Sequence, residues 1–405
     1  MIEFKNPFKP GSGHMPPYLA GRGSETREFV RLLGQETILS NIVLTGLRGV
    51  GKTVLLETWK PLAFSKRWLW VGTDLSESTS VSEETLVMRL LTDLSLVTSG
   101  IVTRKPARVG FTVEAIPPVT EQKMGYENLI ELYRKTAGLP ADKLKAILEF
   151  VWGCIKPNDV KGIVFAYDEA QTMSDHAQKE QYPLSLLLDV FQSVQKKDIP
   201  FMLILVGLPT LFPKLVDTRT FSERMFEVIT LTKLNRDDSR EAILKPTSDP
   251  SCPSQFTESS VNMIVDTSGG YPYFIQFICR EVYDVFLQKL NLGEEPSPVP
   301  MSPIIQKLDK NFFVGRWAKA TDRQRELLTI IAMLDNCEEE FTVHEIVNEA
   351  KAHARPFSSS HVNQMLATLT DAGLIYKNRH GKYSFAVPLL GKFILRQERE
   401  SAVWQ

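Results

Sequence analysis

Gly46-Leu-Arg-Gly-Val-Gly-Lys52-Thr53 decides how this chain reads. It fits the pattern G-x-x-x-x-G-K-[ST], whose glycines let the backbone turn so tightly that successive amides aim inward at phosphate oxygens. The run directly before it, Asn41-Ile-Val-Leu-Thr45, is short and β-branched like a buried strand, and helix formers follow from Thr53 to Lys60. A strand feeding a glycine turn feeding a helix is the context the pattern needs, because the helix start adds the positive end of its dipole. Lys52 is then expected to neutralise β/γ-phosphate charge, and the Thr53 hydroxyl to ligate Mg²⁺. Gly46, Gly49, Val50, Gly51, Lys52, Thr53 and Val54 make up the expected phosphate-binding set.

Working outward, Trp68–Val71, Gly162–Tyr167, Phe201–Val206 and Phe226–Leu231 read as further strands, with helices predicted over 81–96, 143–154 and 184–196. Buried strands alternating with helices predict a parallel sheet covered on both faces, an α/β P-loop domain. The strand Gly162–Tyr167 ends in Asp168-Glu169, at the carboxyl end where ligands gather in open α/β sheets. Asp168 is expected to hold Mg²⁺ through water, with Glu169 as the general base for the attacking water or else a bystander. Asp168-Glu-Ala-Gln171 also has the wording of a helicase box, but no second RecA-like domain or arginine-rich helicase motif follows.

Beyond Leu234 the strands stop, and helices are predicted over 237–244, 258–267 and 272–289. The first twenty residues, with Pro7, Pro10, Pro16 and Pro17, read as an extended arm. The segment 103–118 reads as an inserted loop or hairpin, and 291–303, with four prolines, as a linker. The expected division is a nucleotide-binding core with its arm over 1–233, a helical lid over 234–300 and a third unit over 301–405.

Composition bounds the function without choosing it. The chain has 405 residues, 43% apolar and 23% charged, with 47 Lys plus Arg against 48 Asp plus Glu. That is globular composition with no global charge to draw in nucleic acid or membrane. No run approaches the ~18 apolar residues of a membrane span, and the start lacks the apolar stretch of a signal peptide. The four cysteines form no Cys-x-x-Cys pair, so neither structural zinc nor a disulfide framework is expected. The expected location is the cytoplasm.

Further motifs join these: Tyr18-Leu-Ala-Gly-Arg22-Gly-Ser-Glu25, Val206-Gly-Leu-Pro209, Glu223-Arg224-Met-Phe226 and Gly269-Gly-Tyr-Pro272. With the P-loop and Asp168-Glu169 they resemble the AAA+ ATPases. The branch is the one that joins origin-recognition initiators, transposition regulators and STAND signalling NTPases, and the resemblance covers nearly the whole chain. It implies ATP and Mg²⁺ as ligands and base-side contacts from Arg22 in the arm. It implies that Pro272 lies against the nucleotide base, as in the signalling group. It also implies an arginine reaching into a neighbouring subunit's site to stabilise charge on the transferring phosphoryl group. Arg224 holds that position, with Arg219 as second choice and an ordinary surface arginine as the plain alternative. Two departures stand out: Val206-Gly207 lacks the initiators' polar sensor residue, and Tyr273 stands where their lid has an arginine. The missing lid arginine favours a slow nucleotide switch over rapid turnover.

The last hundred residues predict helices over 322–334, 342–351 and 358–370, then two strands around Asn378-Arg-His-Gly381. Three helices and a β-wing resemble a winged helix-turn-helix. From Lys351 to Arg396 there are seven Lys and Arg against one acid, a local charge of +6. A DNA reader of this kind would present Ser359, His361, Asn363 or Gln364 to the major groove, with Arg379 and Lys382 on phosphates. The competing reading is a module that binds protein or its own ATPase core, since the reading helix carries no Arg or Lys. The expectation is therefore an ATP-hydrolysing switch or motor on DNA or a DNA-associated assembly, of mobile-element, defence or replication type. Self-association through the nucleotide site and a protein partner encoded nearby belong to it. The alternative is a STAND-like switch that holds its nucleotide.

Overall fold

The computed structural model describes residues 5–11, 13–106, 119–249, 252–295 and 301–403. Two compact units emerge. One comprises Gly23–Thr45 and Leu55–Thr230; the other comprises Met1–Arg22, Gly46–Val54 and Leu231–Gln405.

The strands in chain order are β1 (Asn41–Gly46), β2 (Trp68–Val71), β3 (Val102–Pro106), β4 (Val119–Lys123), β5 (Gly162–Tyr167), β6 (Phe201–Gly207), β7 (Phe226–Leu231), β8 (Ile375–Arg379) and β9 (Lys382–Phe385). Five of them form one sheet in the order β2-β5-β6-β1-β7. The β2–β5, β5–β6 and β6–β1 pairs are parallel. The three inner strands are buried at every position, as their unbroken apolar runs demand. Edge strand β7 is buried at Phe226, Ile229 and Leu231 and exposed at Glu227 and Thr230. The chain leaves β1 for the far edge and later crosses back over it to β7, so order reverses beside β1, where open α/β sheets open a crevice at the strands' carboxyl ends.

Aromatic side chains fill the first unit's core. Phe165 meets Phe191 and Phe201 at centroid distances of 5.0 and 5.5 Å, and Phe29 stacks on Trp59 at 4.6 Å. Trp59, Trp68 and Trp70 are buried, so they serve packing, as their apolar neighbourhoods imply. The segment expected to be a loop or hairpin is bounded by the antiparallel pair β3–β4; residues 107–118 lie outside the described set.

In the second unit, the arm runs without helix or strand among its described residues. Asn6 donates to the Arg280 carbonyl and to Asp284, both at 2.8 Å, and Phe8 is fully buried against Phe256 and Tyr283. The lid helices are Arg236–Leu244, Glu258–Ser268 and Pro272–Asn291. The expected linker is shorter than its prolines imply. A helical run from Met301 to Trp317 begins inside it, and Pro303 sits in the first turn, where a missing N–H costs no hydrogen bond. Residues 296–300 are outside the described set.

The helices Asp322–Met333, Val343–Ala352 and Ser359–Asp371 precede the β8–β9 hairpin, capped by the side chains of Thr321, Thr342 and Ser358. A final helix, Leu390–Val403, was not foreseen; it packs on Asp322–Met333. Lid and C-terminal module share an aromatic ladder: Phe274 meets Phe312 at 5.0 Å, Phe312 meets Phe313 at 4.9 Å, and Phe313 stacks on Phe393 at 5.2 Å.

Candidate functional site

The glycine loop has the backbone its composition calls for. Gly46, Gly49 and Gly51 all take positive φ, at 153°, 81° and 94°. A Cβ at Gly46 would fall 2.5 Å from the Leu231 carbonyl oxygen. The helix Lys52–Ser65 starts immediately after, so the positive end of its dipole faces the loop. The Lys52 ammonium donates to the Gly46 and Leu47 carbonyls at 2.8 and 3.0 Å, which holds it over its own loop.

Two parts of the same unit grip this loop. Arg22, 6% exposed, donates through Nη2 to the carbonyls of Val50 (3.0 Å) and Thr232 (2.8 Å). The Tyr273 backbone N–H donates to the Gly49 carbonyl at 3.1 Å. Pro272 is the first residue of its helix and presets that turn, but the hydrogen bond to the loop comes from its neighbour. Tyr273 was singled out in the sequence only as a missing arginine; a backbone contact leaves no residue-type signal to find.

The acidic pair belongs to the other unit. Tyr167 and Val43 are both level with Leu205, so one residue on Asp168 is level with Leu44, near the carboxyl end of β1. Asp168 is 4% exposed. Its backbone is pinned by the loop after β2, donating to the Thr73 carbonyl and accepting from the Leu75 N–H. Its carboxylate accepts the Glu169 N–H at 2.7 Å. Glu169 is exposed and left-handed, φ 54°, a conformation that costs an ordinary residue about 1–2 kcal/mol. Its carboxylate is met by the side-chain amide of Gln171, a contact the sequence reading did not assign.

Among the described residues no three His, Cys, Asp or Glu side chains cluster as a metal site. The donors present are amides, an ammonium, a hydroxyl and single carboxylates. The loop's own amides, ammonium and hydroxyl fit a polyphosphate, whose hard cation, such as Mg²⁺, takes most of its ligands from phosphate and water.

The arginine candidates separate cleanly. Arg219 is held by both oxygens of Asp189, at 3.0 and 2.9 Å. Arg224, on the short helix Ser222–Met225, is exposed with no carboxylate within 4 Å among the described residues. In the C-terminal module Ser359, His361, Asn363 and Gln364 are exposed. Three cations of the +6 stretch are paired with acids outside it: Arg355 with Glu398, Arg379 with Glu340, and Arg396 with Asp309.

A family model described as a domain of unknown function (DUF8462) matches residues 310–394. No curated protein matches the sequence. Among solved structures, the chain is similar to a Walker-type ATPase of Pyrococcus abyssi at 16% identity and a TM-score of 0.57, covering 93% of this chain and 96% of that one. It is also similar to the ADP form of the ORC2 protein of Aeropyrum pernix at 12% identity and a TM-score of 0.52, covering 96% and 99%.

Proposed function

From a chain with the AAA+ fold of the origin-recognition ATPases, we propose a Mg²⁺-dependent ATP-binding and hydrolysing switch that acts on DNA or a DNA-associated assembly. One observation carries the reading: lid and phosphate loop are tied directly, Tyr273 N–H to Gly49 carbonyl, so filling the loop with phosphate bears on the lid. The ADP form of the similar Aeropyrum pernix protein supports nucleotide as the ligand.

In this proposal the loop amides and Lys52 hold the β- and γ-phosphates, and Arg22 braces the loop through the Val50 carbonyl. Thr53 and Asp168 hold Mg²⁺. The ion, when bound, neutralises charge on the phosphate oxygens. Glu169 takes the proton of the attacking water, and Arg224 of a second copy stabilises charge on the transferring phosphoryl group. The left-handed φ of Glu169 fits that role, since strained backbone gathers at working residues.

The test is equilibrium binding and steady-state hydrolysis on three variants. Lys52→Ala should lose ATP binding. Glu169→Gln should bind ATP like the parent and not hydrolyse it. Arg224→Ala should bind normally, lose roughly a thousandfold or more in kcat, and no longer gain activity with protein concentration. Hydrolysis at the parent rate by Glu169→Gln removes the base assignment.

A specific observation favours a second reading of the C-terminal module. Its basic surface is partly neutralised within the chain, and the module shares the aromatic ladder with the lid. A winged helix used for protein or autoinhibitory contact, with nucleotide held for long periods, fits both facts.

A further inference from the structure

We propose that Gln171 is a positioning residue that sets the Glu169 carboxylate by tying it to the end of β6. The inference rests on the reading of Glu169 as the base. It concerns a side chain two residues further on, in the turn Ala170–Thr172.

The Gln171 amide is committed at both ends. Its Oε1 accepts the Leu208 backbone N–H at 3.1 Å, and its Nε2 donates to Glu169 Oε2. The amide's orientation is dictated rather than chosen: a backbone N–H is only a donor, so the oxygen must face Leu208 and the NH₂ must face the carboxylate. The turn itself is held. Lys214 Nζ donates to the Gln171 carbonyl at 2.9 Å, and the Thr172 hydroxyl donates to the Glu169 carbonyl at 2.8 Å. Space for the bridge comes from Gly207, where a Cβ would lie 2.5 Å from Gln171 Oε1 and 2.9 Å from Leu211 Cδ2.

The consequence is chemical. An exposed glutamate has free side-chain torsions and spends little time in any one orientation. Here Oε2 is occupied by a donor, so Oε1 is the oxygen left to receive a proton from water. The end of β6 carries no polar side chain at Val206 or Gly207. The Leu208 N–H provides the anchor instead, so any shift of that strand end moves the base.

The experiment uses the full chain with Mg-ATP. Gln171→Met keeps the volume and loses the amide; Gln171→Ala is its companion. In both, kcat should fall between roughly ten- and a hundredfold, with the affinity for a non-hydrolysable ATP analogue unchanged. The KM for ATP should stay at the parent value, so that the loss falls on kcat alone. Gln171→Glu, which when ionised has no donor for Glu169 Oε2, should lose at least as much kcat as Gln171→Met. Gly207→Ala, by pushing on Oε1, should copy the Gln171 variants, and the double variant Gly207→Ala/Gln171→Ala should be no worse than the worse single one.

Parent kcat in Gln171→Met overturns the proposal. Additive losses in the double variant overturn the link to β6. Glu169→Gln, run in parallel, separates the failures. If it hydrolyses ATP, the base reading falls and takes this inference with it. If it is inactive while Gln171→Met is unaffected, only the positioning role falls.

Discussion

At Gly49 two demands meet on one residue. Its φ of 81° disfavours any side chain, and a Cβ there would lie 3.2 Å from Tyr273 Cβ while its carbonyl accepts the Tyr273 N–H. Gly49→Ala should therefore act on loop and lid together. Backbone strain of about 1–2 kcal/mol corresponds to roughly a tenfold loss of nucleotide affinity. Titration of a fluorescent ATP analogue checks it, and affinity within twofold of the parent would show that the loop relaxes freely. The glycine spacing made this residue legible beforehand. Tyr273 and Gln171 were not legible in these roles, since one contributes a backbone N–H and the other an amide bridging two strand ends.

On the helix Glu83–Thr98, most buried positions are the expected apolar ones, but Asp93 is also buried, 3% exposed. Arg89 Nε reaches its Oδ2 at 3.1 Å, yet burial dominates and raises the Asp93 pKa above its ordinary value. A carboxyl raised by folding adds stability that is complete below its unfolded pKa, near 4, and is lost as pH rises through the folded value. At neutral pH the parent thus carries the cost of a buried charge. Asp93→Asn should melt higher than the parent at pH 7, with the gap closing as the pH falls toward 4. A lower midpoint at pH 7 would mean that the Arg89 pair outweighs burial. At this scale, helices with a clear apolar face and a Ser or Thr cap were visible in the sequence. Nearby prolines mask the run Met301–Trp317, and the partner helix that stabilises Leu390–Val403 lies about sixty residues earlier in the chain.

Across the whole molecule, the sequence count of +6 from Lys351 to Arg396 is not the charge a ligand meets. Arg355, Arg379 and Arg396 each face an acid from outside the stretch, leaving Lys351, Lys377, Lys382 and Lys392 without a carboxylate within 4 Å among the described residues. Phosphate contacts set the salt dependence of DNA binding at a slope near −0.9 per contact. Fluorescence anisotropy with duplex DNA at several salt concentrations should thus give a slope magnitude of about 4 or less. A steeper slope would show that the ion pairs open on DNA and would favour the DNA reading; absence of binding at low salt favours protein contact.

Strand, glycine turn, helix and acidic strand end could be recognised in the bare order of residues, because each is a local pattern whose period and backbone freedom need no distant partner. The α/β class and the candidate phosphate-binding residues followed from that. Which arginine Asp189 holds, where the Gln171 amide is anchored, and how much basic charge is paired are decided by groups 30 to 90 positions apart. Hydrogen bonds and ion pairs depend on atomic distance, and only the folded backbone brings such residues within 3 Å.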